Sequence, residues 1–346
     1  MSDTRIFAEC DYAKKGTQHG YLRVPHSSDD SAYGWIPVPI VCINGGGIGP
    51  TVLLVAGNHG DEYEGQLALA KLSRRLTHED VRGRIIILPA ANCPAVVAAK
   101  RTSPIDGGNL NRSFPGDPDG TPTQALAHYI ENVLLAMADH VVDLHSGGRS
   151  LNYIPCALAR EYSDADRMRE AYKALDAFGA PISLIKDTPQ GGDQTLLGGA
   201  DRMGTHYLGT ELGGAGAVSR AGLTAAEHGV ARYLMAVGAL DEPLTDRPAP
   251  RTAYFKVLGT DYYNYAEEEG VFEPAFDLGE DVEAGASAGA IHSPETPWRE
   301  PQQVRFRVSG KVVCQRTPGR TRRGDCLFHL ATLCGDQPED VARAES

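Results

Sequence analysis

The stretch TVLLVAGNHGDE, residues 51–62, decides how this chain folds. Its first half, Thr51–Ala56, is an apolar run with turns on either side, which suits a strand covered on both faces. A glycine-bounded loop follows, and then Leu69, Leu72 and Leu76 recur at helical spacing. A buried strand passing through a tight turn into a helix is the unit of an α/β sheet, and ligands gather where such strands end. That turn carries His59 and Glu62, three residues apart, an imidazole and a carboxylate able to face one ion. Alone, such an HxxE fits a capped helix start as readily as a metal site.

Outward from this stretch the pattern repeats. Residues 20–24 and 35–41 read as paired strands around a polar turn at 27–31, and 84–89 as another buried strand. A helix near 122–138 has Pro122 in its first turn and Ile130, Val133, Leu134 and Met137 on one face. Residues 139–144 form a strand that ends at His145. Ser163 opens a helix with a stripe of Ala171, Tyr172, Leu175 and Phe178, closed by Gly179. Strands at 181–185 and 205–212 follow, and Thr224 with Glu227 predicts a capping box for a last helix through Val230, Leu234 and Val237. The expected fold class is α/β, a mixed sheet flanked by helices. Residues 241–251, with three prolines among charges, read as a linker; short glycine-punctuated strands without a helix then run to about 334. The expected division is a catalytic domain over 1–245 and a smaller all-β domain over 252–336.

Composition removes several function classes. The chain has 346 residues, more than one core comfortably supports. A formal charge of -12 argues against nucleic acid as a partner, since phosphate binding needs a basic stripe. No apolar run is long enough to span a bilayer, and the first ten residues lack a signal-peptide pattern, so no membrane partner and a cytoplasmic location are expected. Seven scattered cysteines without a CxxC pair fit reduced thiols and argue against a thiolate zinc site.

Two further strand ends and a polar loop carry chemistry. Asp143-Leu144-His145-Ser146-Gly147 offers His145 as a third ligand, with Asp143 on the same strand face, either orienting a ligand or binding backbone. Thr210-Glu211-Leu212-Gly213-Gly214 offers Glu211 as a general base or a structural carboxylate. The loop Asn109-Leu110-Asn111-Arg112-Ser113-Phe114-Pro115-Gly116 places Arg112, a planar two-point carboxylate binder, beside Asn111. In the glycine-rich 190–200 loop, Asp193 is a candidate partner for a cationic substrate side chain.

These four motifs, in this order over residues 52–214, resemble the succinylglutamate desuccinylase/aspartoacylase family, a branch of the zinc carboxypeptidase-like fold. The resemblance implies one Zn2+ per chain held by His59, Glu62 and His145, Glu211 as general base, and Asn111 with Arg112 on the substrate carboxylate. It also implies an arginine that polarises the scissile carbonyl, for which Arg101 is nearest, at a longer spacing than in aspartoacylase itself. The partner it implies is a small N-acyl amino acid. Within the family, segments 20–25, 32–39, 57–65 and 101–116 look most like the N-acetyl-L-2,4-diaminobutyrate deacetylases of ectoine degradation. The alternatives are desuccinylase or aspartoacylase chemistry and, from another class, a non-catalytic acylamino-acid or metal-binding protein. The C-terminal segment resembles a biotinyl/lipoyl-type β-sandwich, yet no lysine occurs between Lys256 and Lys311 to serve as a carrier. Shielding the active-site mouth or a homodimer contact is the expected role.

Overall fold

A computed structural model describes residues 4–187 and 192–335; residues 190 and 191 of the expected glycine-rich loop, and residue 336, lie outside them. In chain order the first part comprises β1 (Phe7–Ala8), β2 (Gly16–Pro25), β3 (Trp35–Asn44), β4 (Thr51–Ala56), α1 (Tyr63–Arg75), β5 (Arg84–Leu88), α2 (Cys93–Ala98), α3 (Pro122–Tyr129), β6 (His140–Leu144), β7 (Leu151–Tyr153), β8 (Cys156–Arg160), α4 (Ala165–Phe178), β9 (Ile182–Lys186), α5 (Leu196–Met203), β10 (His206–Glu211) and α6 (Arg220–Ala236). After the coil at 241–251 come β11 (Ala253–Val257), β12 (Tyr263–Tyr265), β13 (Gly270–Pro274), β14 (Asp281–Val282), β15 (Ser287–His292), β16 (Gln302–Arg305), β17 (Gly310–Arg316), β18 (Arg320–Thr321) and β19 (Cys326–Gly335).

The fold is mixed α/β. One large sheet runs β1-β2-β3-β5-β4-β6-β10-β8-β9-β11-β19-β17-β14, with a parallel centre of β5, β4, β6 and β10. All six residues of β4 are buried. Its alternate side chains feed two cores: Val52, Leu54 and Ala56 pack under α1, α4 and α6, while Leu53 and Val55 face α3 and α5. The strand after the linker does not stand apart, because β11 pairs in parallel with β9 and antiparallel with β19. A further antiparallel sheet, β16-β15-β13-β18, lies beyond it. Ile182 and Leu184 of β9 share a core with Phe255, Phe306 and Phe328 of the C-terminal segment. No helix among the described residues is long and apolar enough to cross a membrane.

Four helix expectations are corrected locally. Thr224 and Glu227 lie inside α6; the helix begins at Arg220, where the Ser219 hydroxyl accepts the Gly222 N–H at 2.9 Å. The T-x-x-E spacing also fits an exposed helix face, and Glu227 pairs with Lys71 of α1 at 2.5 Å. Pro122 does open α3, but the α-helix ends at Tyr129 and continues through a π turn at Ile130–Leu134 and a 3-10 turn at Leu135–Met137. Asp164, not Ser163, caps α4 by accepting the Arg167 N–H at 2.8 Å, and Gly179 closes the helix in the left-handed region. The 190–200 loop contains α5, which two glycines disguise; a Cβ at Gly199 would lie 2.8 Å from the Glu131 carboxylate.

Candidate metal centre and catalytic cavity

The carboxyl ends of β4, β6 and β10 converge on one point. β4 runs out through Gly57, whose φ of +73° suits glycine, and Gly60, where a Cβ would lie 1.9 Å from the Ala95 carbonyl oxygen. That close approach swings His59 and Glu62 inward. Glu62 stands at the N-cap of α1 but its side chain caps nothing. Instead its Oε1 lies 2.7 Å from His59 Nδ1 and its Oε2 lies 2.7 Å from His145 Nδ1. The capped-helix reading of the HxxE is thereby answered: the carboxylate sits between two imidazoles.

Strand parity places the rest. On β6 and β10, Val142, Leu144 and Leu208 face the α1/α4/α6 core, so Asp143, Tyr207 and Glu211 face the other way, with His145. Asp143 is fully buried and its Oδ2 lies 3.0 Å from His145 Nε2. A carboxylate only accepts, so Nε2–H donates to Asp143, which leaves Nδ1, beside Glu62, as the atom that would bind a metal. Asn109 does the same for His59, its Oδ1 being 3.1 Å from Nε2. Asp143 is held in turn by Asn58 Nδ2 at 2.8 Å and by the Tyr207 hydroxyl at 3.1 Å.

Nδ1 of His59, Nδ1 of His145 and an oxygen of Glu62 thus form the one group of metal-binding side chains among the described residues whose ligand atoms lie within 4.8 Å of one another. Two imidazoles and a carboxylate are a zinc donor set that leaves a coordination position open. Burial alone would push the Glu62 carboxyl up, but the flanking His59 and His145 imidazoles hold it well below the usual carboxylate range, in its ligating form.

Seven of the residues singled out in the sequence, His59, Glu62, Arg101, Asn111, Arg112, His145 and Glu211, meet in one cavity of about 230 Å³. Arg101 reaches in with its guanidinium 3.5 Å from Glu62 Oε1. Asn111 is fixed by the Leu196 N–H on its Oδ1 at 2.8 Å, which turns its amide NH2 toward the site. Arg112 donates to the Asn111 carbonyl at 2.6 Å and has no carboxylate partner among the described residues. Burial of Glu211 and the charge of Glu62 push its carboxyl up to about 7, and its Oε2 is buried with no hydrogen-bond partner. An acid poised near neutrality on the cavity wall can take and return a proton.

Other residues of this site gave no local signal. Lys186, at the end of β9, brings an ammonium into the cavity with no counter-ion among the described residues, while Arg160 beside it is paired with Asp201 at 2.7 Å. Tyr263 enters from the C-terminal strands. Tyr207 was detectable in principle from its even spacing with Glu211 along one strand. Asp193 is exposed and does not line the cavity, so the expected acidic wall is absent from the described lining, whose only carboxylates are Glu62 and Glu211.

Comparison with known proteins gives the same grouping. The succinylglutamate desuccinylase/aspartoacylase catalytic domain matches residues 48–237. The N-alpha-acetyl-L-2,4-diaminobutyric acid deacetylase of Halomonas elongata is 40% identical over 329 residues, covering 95% of each chain. A succinylglutamate desuccinylase/aspartoacylase structure from Rhodobacter sphaeroides superposes with a TM-score of 0.89 at 39% identity, over 95% of this chain and 100% of that one. The product-bound ectoine utilization protein of Ruegeria pomeroyi gives a TM-score of 0.90 at 38% identity, over 96% and 100%.

Proposed function

This chain belongs to the succinylglutamate desuccinylase/aspartoacylase family, and we propose that within it the protein hydrolyses N2-acetyl-L-2,4-diaminobutyrate to diaminobutyrate and acetate in ectoine catabolism. The observation that carries the reading is the single cavity holding a His-Glu-His donor set, a raised buried carboxyl at Glu211 and Arg112 with no carboxylate partner among the described residues. The likeness to the Halomonas deacetylase over nearly the whole chain supports the acyl group and amine.

His59, Glu62 and His145 would hold the metal, and a zinc ion there would supply a Lewis acid that polarises the acyl carbonyl and acidifies water. Arg112 and the amide of Asn111 grip the substrate carboxylate and so fix the amide bond in place. Arg101 donates to the acyl oxygen as negative charge grows on it. Glu211 takes a proton from the water whose oxygen attacks the acyl carbon. As the C–N bond breaks, it returns that proton to the amine nitrogen, leaving acetic acid and a neutral amine; the acid's remaining proton then passes to the amine, giving acetate and an ammonium. We read residues 1–245 as a zinc carboxypeptidase-like catalytic domain and the C-terminal segment, 252–336, as a biotinyl/lipoyl-like module without its carrier lysine. Seven cysteines, all free thiols, support a reducing cytoplasmic setting.

One observation favours a second reading. Lys186, with no counter-ion among the described residues, and a described lining without an acidic wall suit a substrate with a second carboxylate better than one with an ammonium. Initial rates on N2-acetyl-diaminobutyrate, N-succinyl-glutamate and N-acetyl-aspartate, with zinc supplied, separate the two. Higher kcat/KM on either dianion would overturn the deacetylase reading. No turnover of any of them by zinc-loaded protein would point to a binding protein.

A further inference from the structure

Four strands meet side by side at one level of the C-terminal sheet: Tyr153 of β7 faces Cys314 of β17, Cys314 faces His329 of β19, and His329 faces Tyr263 of β12. Cross-strand partners share a face, so these four side chains form a transverse row. The two ends of the row, Tyr153 and Tyr263, both line the catalytic cavity, and His329 lies behind them with no exposure to solvent. Its ring lies flat against Tyr263, centroids 4.1 Å apart and planes 10° apart, and meets Tyr153 edge-on at 6.1 Å and 81°. Neither ring nitrogen has a hydrogen-bond partner among the described residues. Burial, with the Lys186 charge adding to it, holds the imidazole neutral, far below its usual range. Hydrogen bonding therefore does not account for this side chain. Its contact is the aromatic face it presents to Tyr263.

We propose that His329 is a positioning residue for substrate binding: its flat ring is the backstop that fixes Tyr263 as a wall of the cavity, which gives the C-terminal strands a part in shaping the acylamino-acid site. The proposal rests on the deacylase reading of that cavity. A side chain without a flat face leaves Tyr263 free to turn about its χ1 and χ2, so the wall loosens while the metal ligands and Glu211, carried on other strands, keep their places.

The test is steady-state kinetics of His329→Leu, His329→Phe, Tyr263→Ala and the His329→Leu/Tyr263→Ala double variant, alongside zinc content and thermal midpoint. The substrate is whichever N-acyl amino acid the wild type hydrolyses best, so a wrong substrate assignment fails in the wild type and a wrong role for His329 fails only in the variants. Expected for His329→Leu is a KM raised roughly fivefold or more with kcat within about twofold and zinc retained. His329→Phe, which keeps an aromatic face, stays nearer the wild-type KM. The double variant is no worse than Tyr263→Ala alone, because the effect of His329 passes through that ring. A His329→Leu enzyme with an unchanged KM overturns the proposal, whatever its thermal midpoint. So does additivity in the double variant, or a His329→Phe enzyme as impaired as His329→Leu.

Discussion

The strands β6 and β10 begin and end beside pairs of histidines, and the two ends behave as opposites. At the carboxyl end, His59 and His145 have ring centroids 5.1 Å apart; at the amino end, His140 and His206 are 5.2 Å apart. The spacing is nearly the same, yet only the first pair belongs to a group with metal-ligand geometry among the described residues. Glu62 sits between the first pair, while His140 and His206 lie face to face, and His140 Nδ1 is 3.2 Å from the Tyr233 hydroxyl. Proton affinity follows the surroundings. Burial alone would lower both His140 and His145; the charge of His206 lowers His140 further, whereas Asp143 and Glu62 reverse the trend and raise His145 well above its usual range. Proximity of two imidazoles is therefore not what makes a metal centre. The carboxylate between them and the acceptors behind them, Asp143 and Asn109, do that.

The sharpest way to break this comparison is to remove the carboxylate. Glu62→Ala is expected to lose bound zinc and all measurable turnover, while His140→Ala and His206→Ala keep both. Elemental analysis of zinc per chain beside the hydrolysis rate decides it; zinc retained by Glu62→Ala would sink the assignment of the centre.

Next in size is the base. Glu211→Gln should retain zinc and lose about 10²- to 10⁴-fold in kcat. Glu211 acts only when ionised, so in the wild type log(kcat/KM) falls with unit slope as pH drops below its pKa. Burial and Glu62 set that value at about 7, and a bound cation lowers it. The acidic limb is therefore expected at or below about pH 7, and absent from the residual activity of Glu211→Gln. A limb that survives the substitution would assign it to another group.

How far the sequence reached follows the same division. The centre of the sheet was legible because β4 is buried on both faces and reads as an unbroken apolar run, and because glycines mark where it ends. His59, Glu62, His145, Asn111, Arg112 and Glu211 were legible as motifs at strand ends and in one polar loop, and the cavity unites them with Arg101. Lys186 and Tyr263 were not, since they reach the cavity only when β9 and the C-terminal strands pair through β11 and β19, contacts far apart in sequence. Helix starts were misread where Ser, Thr and Asp compete within a few residues, as at Asp164 and Ser219. Asp193 was misplaced because it stands on an exposed 3-10 turn, Gly192–Gln194, ahead of α5.

A finer cut tests the acceptors behind the ligands. Tyr207→Phe removes one hydrogen bond from Asp143, and Asp143→Asn removes the charge that orients His145. Zinc affinity, measured by competition with a chelator, should fall about 10- to 100-fold for Asp143→Asn and less for Tyr207→Phe. Equal affinities for wild type and Asp143→Asn would leave Asp143 as a backbone anchor only.

The smallest effect belongs to the other end of the strands. The His140 pKa is lowered in the folded state, first by burial and then by the charge of His206. Below the unfolded value, about 6.5, the unfolded chain therefore binds more protons than the folded one, so the neutral ring's contribution to stability is full above that pH and is lost as pH falls through it. His206→Gln removes the neighbouring charge and brings the folded value closer to the unfolded one. Chemical denaturation from pH 7.5 down to 5.5 should show a gentler loss of stability in His206→Gln than in the wild type, with zinc content unchanged throughout. A steeper loss in the variant would mean that the stacked ring of His206 shelters His140 more than its charge repels it.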